Sequence, residues 1–161
     1  MLIEMTIKGL IVDPVTNTPI IILKDLEEKH ILPIWVGVFE ANAIALQVEN
    51  VSTPRPMTHD LLRDVIADLD GQVDRAVVTE LKGNTFYAMI HVTVRGEHLA
   101  IDARPSDAIA LALRTRAPIL VEDAVIERAK TSDLAADRTD TDRLKSWLEH
   151  LDPDQLGKYK M

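Results

Sequence analysis

A chain of 161 residues, 47% of them apolar, is long enough to form one domain around a full hydrophobic core. Its apolar runs fall far short of a membrane span, and Met1 leads into a strand-like pattern rather than a secretory leader, so the expectation is a cytoplasmic protein with no membrane partner. The absence of cysteine excludes disulfides and thiol chemistry, while a net charge of −8 opposes indiscriminate binding to phosphate backbones.

Residues 1 to 36 read as three strands. Ile3, Met5 and Ile7 alternate with polar neighbours, and Asp13-Pro14 through Pro19 has turn composition. Ile20-Ile21-Ile22-Leu23 is a continuous apolar run expected to be covered on both faces, and Pro33 predicts an edge strand or a bulge. After Gly37, residues Ala41, Ile44, Ala45 and Val48 fall on one helical stripe, with Glu40, Ala43 and Gln47 on another face. The connector Ser52-Thr53-Pro54-Arg55-Pro56 precedes a second helix whose Leu61, Leu62, Val65, Ile66 and Leu69 are expected to face inward, closed by Gly71.

Val73, Val77 and Leu81 begin the next strand, and Lys82-Gly83-Asn84-Thr85 predicts a two-residue hairpin of the glycine-first type. The return strand runs from Phe86, and Arg95-Gly96-Glu97 turns into a strand ending at Ala103. There Pro105, which lacks an N–H and disfavours helical angles at Arg104, sets the start of a helix that is apolar from Ala108 to Leu113. A short strand (118–121) and a short helix (122–129) follow, then a polar linker over 130–140. Leu144, Trp147, Leu148 and Leu151 form a C-terminal amphipathic stripe that must dock on something. The fold class expected is α+β: a mixed sheet with helices packed on it, in the order strands, two helices, strands, two helices.

Two helix starts echo each other, Arg55-Pro56-Met57-Thr58-His59-Asp60 and Arg104-Pro105-Ser106-Asp107. Each offers a guanidinium, a hydroxyl and an acid in the first turn. Asp60 and Asp107 stand where a carboxylate caps a helix, and capping is the favoured role; metal ligation is the functional alternative. Arg55 and Arg104 could hold a phosphate against backbone N–H groups, although ion pairs with Asp60 and Asp107 are favoured. His59 would act as a general base only with a carboxylate in reach, and otherwise is a surface histidine. His91 and His98 read as half-buried packing residues, while Asp102 with Glu40 or Asp60 could bind Mg²⁺ or Mn²⁺. There is no Walker loop, dinucleotide fingerprint, HExxH motif or nucleophile elbow, and 4% aromatics gives no evident base-stacking platform.

Three segments together carry a family resemblance: Leu32-Pro33-Ile34-Trp35-Val36-Gly37 leading to Glu40-Ala41 and Ile44-Ala45; Arg55 to Leu62; and Phe86-Tyr87-Ala88 followed by Asp102 to Arg114. The chain resembles the bifunctional nuclease domain family over residues 1 to 130, with 131–161 as an acidic linker and C-terminal helix. Its tail, Leu148 to Lys158, resembles the acidic extension of bacterial members. The resemblance implies a compact α+β domain that self-associates as a dimer, and cleavage of RNA and DNA, an activity attributed to plant members. It maps the family's polar positions onto Glu40, Arg55, His59, Asp60, Arg104, Ser106 and Asp107. From these follows a metal-dependent phosphodiesterase: Glu40, Asp60 and Asp107 would hold Mg²⁺ or Mn²⁺, Arg55 and Arg104 would neutralise the phosphate, and His59 would handle a proton. The alternative is a non-catalytic homodimeric regulatory or scaffold protein built from the same residues. What separates the two is whether the helix starts meet at one solvent-reachable spot.

Overall fold

The structure, a computed structural model, describes residues 1–135. Three strands, β1 (Leu2–Val12), β2 (Pro19–Asp25) and β3 (Ile31–Trp35), are followed by α1 (Val38–Val48) and α2 (Thr58–Asp68). Then come β4 (Gly71–Lys82), β5 (Thr85–Val94), β6 (Glu97–Ala103), α3 (Pro105–Thr115), β7 (Ile119–Glu122) and α4 (Asp123–Ala135). The strands form a single seven-stranded sheet, ordered β3-β2-β1-β7-β4-β5-β6. The short β7 joins the two halves, antiparallel to β1 and parallel to β4, which makes the sheet mixed and the fold α+β as expected.

β2 is an interior strand, and Ile20 to Leu23 are at most 1% exposed. Ile21 and Leu23, with Leu32 and Ile34 of β3, form one core with Ala41 and Ile44 of α1 and with Ile109 and Leu111 of α3. Pro33 lies in the edge strand β3, where its missing N–H does least harm. At α3, Arg104 is the extended N-cap and Pro105 the first helical residue, and Ala108 to Ala112 are at most 1% exposed.

Four details differ from the sequence pattern. At the β4–β5 turn both Gly83 (φ 55°) and Asn84 (φ 63°) are left-handed, so the turn is type I′ rather than glycine-first; asparagine tolerates that region, and the I′ twist matches the strands. Helix α4 reaches Ala135, into the stretch read as linker. The C-terminal amphipathic stripe and the Leu148–Lys158 tail lie outside the described residues. Among the described residues no helix is long and apolar enough to cross a membrane.

The third difference concerns which side of α2 faces in. Of the five apolar residues expected to point inward, Ile66 packs on the core, while Leu61 (57%), Leu62 (37%), Val65 (45%) and Leu69 (62%) are exposed. The buried residue of this helix is His59. The helix is turned so that its first-turn polar groups meet α3, a contact that hydrophobic periodicity does not register. On α1, likewise, Val48 is exposed and Ala43 buried, because the Ala43 carbonyl receives a guanidinium from α3.

Last, Gly71 does not close α2. Asp70 takes the left-handed position (φ 60°), and Gly71 opens β4 hard against the helix it follows. A Cβ there would lie 2.9 Å from both Cγ2 and the backbone oxygen of Ile66. The backbone atom cannot rotate away, so Gly71→Ala should destabilise the fold by about 1–3 kcal/mol. Urea denaturation checks this, and an unchanged midpoint would mean α2 can slide off β4 freely.

Candidate functional site

The helix starts do meet. α1, α2 and α3 leave β3, the connector and β6 so that their first turns converge, and a chain of side-chain contacts ties them together. Nε2 of His59 lies 2.9 Å from Oδ1 of Asp107. Oδ2 of Asp107 accepts from Nε of Arg104 at 2.9 Å, and Nη2 of Arg104 donates to Oε1 of Glu40 at 2.7 Å. His59 thus has the carboxylate partner that general-base chemistry requires. The Arg104–Asp107 ion pair forms as favoured, but capping is not where the Asp107 oxygens go: one serves His59 and the other Arg104.

Burial pushes the Asp107 carboxyl up, but the hydrogen bonds from His59 and Arg104 outweigh it and hold the group below the ordinary aspartate value. The hydrogen bond from Arg104 is the main cause holding Glu40 below its ordinary value. Asp107 and then Glu40 raise Arg104 in turn. The Arg104 side chain is 64% exposed in spite of its partners, and Nη1 is engaged by neither carboxylate.

Asp60 belongs to a second network. One of its oxygens accepts the Met57 N–H at 3.0 Å, the cap that the sequence predicts. The other accepts from Nε of Arg114 at 2.8 Å and lies 4.0 Å from Nη1 of Arg63, so its ion-pair partners are Arg114 and, more distantly, Arg63, not Arg55. Burial raises Asp60, but the Met57 N–H and Arg114 together leave it below its ordinary value. The Arg114 side chain is 2% exposed and also donates to the carbonyls of Ala110 (2.9 Å) and Ala43 (2.8 Å), which locks α3 to α1. Sequence reasoning passed over Arg114 as the end of an apolar helix. The available signal was spacing: Asp107 and Arg114 are two turns apart on one face, and a guanidinium on a buried face requires an acid.

Two open pockets flank these networks. One, of about 360 Å³, is lined by Trp35, Gly37, Phe86, Arg104 and Ser106 among others. Ser106 is 6% exposed, and no hydrogen-bond partner of its hydroxyl is present among the described residues. The other, of about 280 Å³, is lined by Thr53, Arg55, Asp60, Arg63 and Arg114. Arg55 borders it without an ion-pair partner among the described residues. Asp102 stays exposed on β6, apart from both networks. His91 and His98 stack with centroids 5.1 Å apart, and Nδ1 of His91 lies 3.0 Å from Nε2 of His98.

A divalent cation at Glu40, Asp60 and Asp107 would need their oxygens turned toward one point. As folded they do not fit that role: Arg104 sits between Glu40 and Asp107, and Asp60 faces Arg114. Among the described residues no group of three or more His, Asp or Glu side chains is gathered as a metal would require.

The sequence matches the model of the bifunctional nuclease domain over residues 21–133, a span that contains every residue of both networks. The chain belongs to this family. An uncharacterized protein of Mycobacterium tuberculosis is 35% identical over 162 residues, covering 95% of this chain and 97% of its own length. Bifunctional nuclease 1 of Oryza sativa subsp. indica is 28% identical over 94 residues, 56% of this chain and 28% of the plant protein. Bifunctional nuclease 2 of Arabidopsis thaliana matches at the same identity over 94 residues and 29% of its length.

Asp60→Ala leaves the buried Arg114 charge unpaired and should cost about 3–5 kcal/mol by urea denaturation, while Arg55→Ala should stay within about 0.5 kcal/mol. Equal losses would refute this assignment of partners. Asp107 and Glu40 both titrate below their ordinary values of 3.8 and 4.5 in the folded state. Their contribution is therefore complete above those values and lost as pH falls through the lowered ones. The wild-type melting temperature should fall steeply below about pH 4, and the fall should be shallower in Asp107→Asn.

Proposed function

We propose that the protein is a phosphodiesterase acting on nucleic acid in the cytoplasm, with His59 and Asp107 as its proton-handling pair. The supporting observation is the 2.9 Å contact between His59 and Asp107 across two helices, in a domain of a family named for nucleases. Asp107 fixes the orientation of the ring, which leaves Nδ1 of His59 as the nitrogen able to take a proton from an attacking water or hydroxyl and return it to the leaving oxygen. Arg104, braced by Glu40 and Asp107, keeps Nη1 for a phosphate oxygen, and a cation held rigidly needs little reorganisation as charge develops. The Ser106 hydroxyl lines the same pocket, and Arg55 supplies a second positive charge on the other side of the α2 start.

This chemistry uses groups the chain itself supplies. Mg²⁺ or Mn²⁺ would first have to displace the Arg104 guanidinium from between Glu40 and Asp107. The second reading, a non-catalytic homodimeric module, is favoured by the near-saturation of the site's charges by one another and by the apolar residues that α2 leaves exposed.

One assay separates the readings. Wild type, His59→Ala and Asp107→Asn, purified in parallel, are incubated with single-stranded RNA and DNA, with and without EDTA. Loss of the proton-handling pair should lower cleavage by about 10²-fold or more. Variants as nucleolytic as wild type, or wild type without cleavage, would remove the catalytic proposal. Sensitivity of the wild type to EDTA would show that a cation does displace Arg104.

A further inference from the structure

Among the described residues, the strand at the outer end of the sheet is bare. There β6 is seven residues long, ends the strand order and pairs only with β5, and residues 97 to 102 are all exposed. It carries no proline, lysine or bulge, three of the devices by which edge strands avoid pairing with another chain, and its formal charges, Glu97 and Asp102, stand towards its two ends.

The side from which its backbone can bond follows from the turn. Arg95 (φ 50°) and Gly96 (φ 81°) make a two-residue hairpin loop, so Val94 and Glu97 close it as a hydrogen-bonded pair. The alternation then runs unbroken to Ala103. Glu97, Leu99, Ile101 and Ala103 bond to β5, and His98, Ala100 and Asp102 turn their N–H and C=O groups outward, unpartnered among the described residues.

The sequence His98-Leu99-Ala100-Ile101-Asp102 is complementary to itself when reversed. We propose that β6 pairs antiparallel with β6 of a second copy of this chain, about a two-fold axis at Ala100, to join two seven-stranded sheets into one. In this register Ala100 meets Ala100 of the second copy, and His98 meets Asp102 of the second copy, each pair exchanging two N–H···O=C bonds. An acid then stands opposite an imidazole on one face, and Leu99 stands opposite Ile101 of the second copy on the other. Registers centred on His98 or Asp102 oppose like with like. Those centred on Leu99 or Ile101 leave an outward-facing residue against the turn or past the strand end.

The apolar face supplies the second argument. Leu99 and Ile101 pair with Val92 and Ile90, which are core residues, yet remain 44% and 45% exposed because no element among the described residues lies beyond β6 on that side. The same pair from a second copy would cover them. His98 reaches the interface already steadied by its own chain, with His91 at 3.0 Å and Asp74 at 3.8 Å. This surface rests on the self-association in the second reading above and is independent of whether the protein cleaves anything.

The test is mass in solution by light scattering after gel filtration, with circular dichroism to confirm folding. Wild type should be a dimer and Ala100→Pro a folded monomer, since the Ala100 N–H bonds nothing among the described residues. Asp102→Lys should weaken the dimer about tenfold by removing the acid from opposite the imidazole in two symmetric pairs, and adding His98→Asp should restore it by setting an acid opposite each lysine. A monomeric wild type would overturn self-association itself. A dimer indifferent to Ala100→Pro would place it on another surface, and a double variant as weak as Asp102→Lys would overturn the register.

Discussion

The structure depends on how one carboxylate is used. Asp107 stands in the first turn of α3, a position fixed by Pro105, and at that point its easiest partners would be the helix's own free N–H groups. It accepts instead from His59 of α2 and Arg104, and Arg104 carries the connection on to Glu40 of α1. Three helices that also share one apolar core are thereby tied together at their first turns. Removing the carboxylate would release an imidazole and a guanidinium together, so the site and the packing of α2 are one problem.

The second network carries the structural share of the load. Arg114 is buried and fully engaged, by Asp60 and two carbonyls, and cannot turn outward to a ligand without leaving those carbonyls unpaired. Arg104 is largely exposed, keeps one nitrogen free, and borders a pocket into which a buried serine also opens. Neighbouring acid–guanidinium pairs of the same kind are thus divided between holding the fold and facing solvent, and exposure decides which is which.

What was legible in the sequence tracks what is local. Alternation and proline placement yielded the strands, the edge position of β3 and the first residue of α3, because each depends on neighbours in the chain. The polar residues at both helix starts were identifiable for the same reason. Which acid meets which base was not: Asp60 selects Arg114, 54 residues away, over Arg55 nearby, because burial makes an unpaired guanidinium far costlier than an exposed one. The orientation of α2 failed for a related cause. Its apolar residues outnumber its polar ones on the side read as inward, yet a buried imidazole–carboxylate contact determined the rotation.

The exposed residues this leaves on α2 bear on the contrast between the two ends of the sheet. β3 is short, carries Pro33 at its centre, and has Leu32 and Ile34 buried. β6 is longer, regular, and exposed along nearly its whole length. A sheet guarded at one edge and open at the other is not symmetric neglect; an unguarded regular edge would aggregate at random unless one register were favoured over its neighbours. The order of His98, Leu99, Ala100, Ile101 and Asp102 supplies that preference, since reversing the strand returns apolar to apolar and acid to imidazole only about Ala100. The same hairpin hands the chain from Ala103 to Arg104, so an interface that fixes β6 would also steady the entry to α3, where Asp107 gathers the three helices.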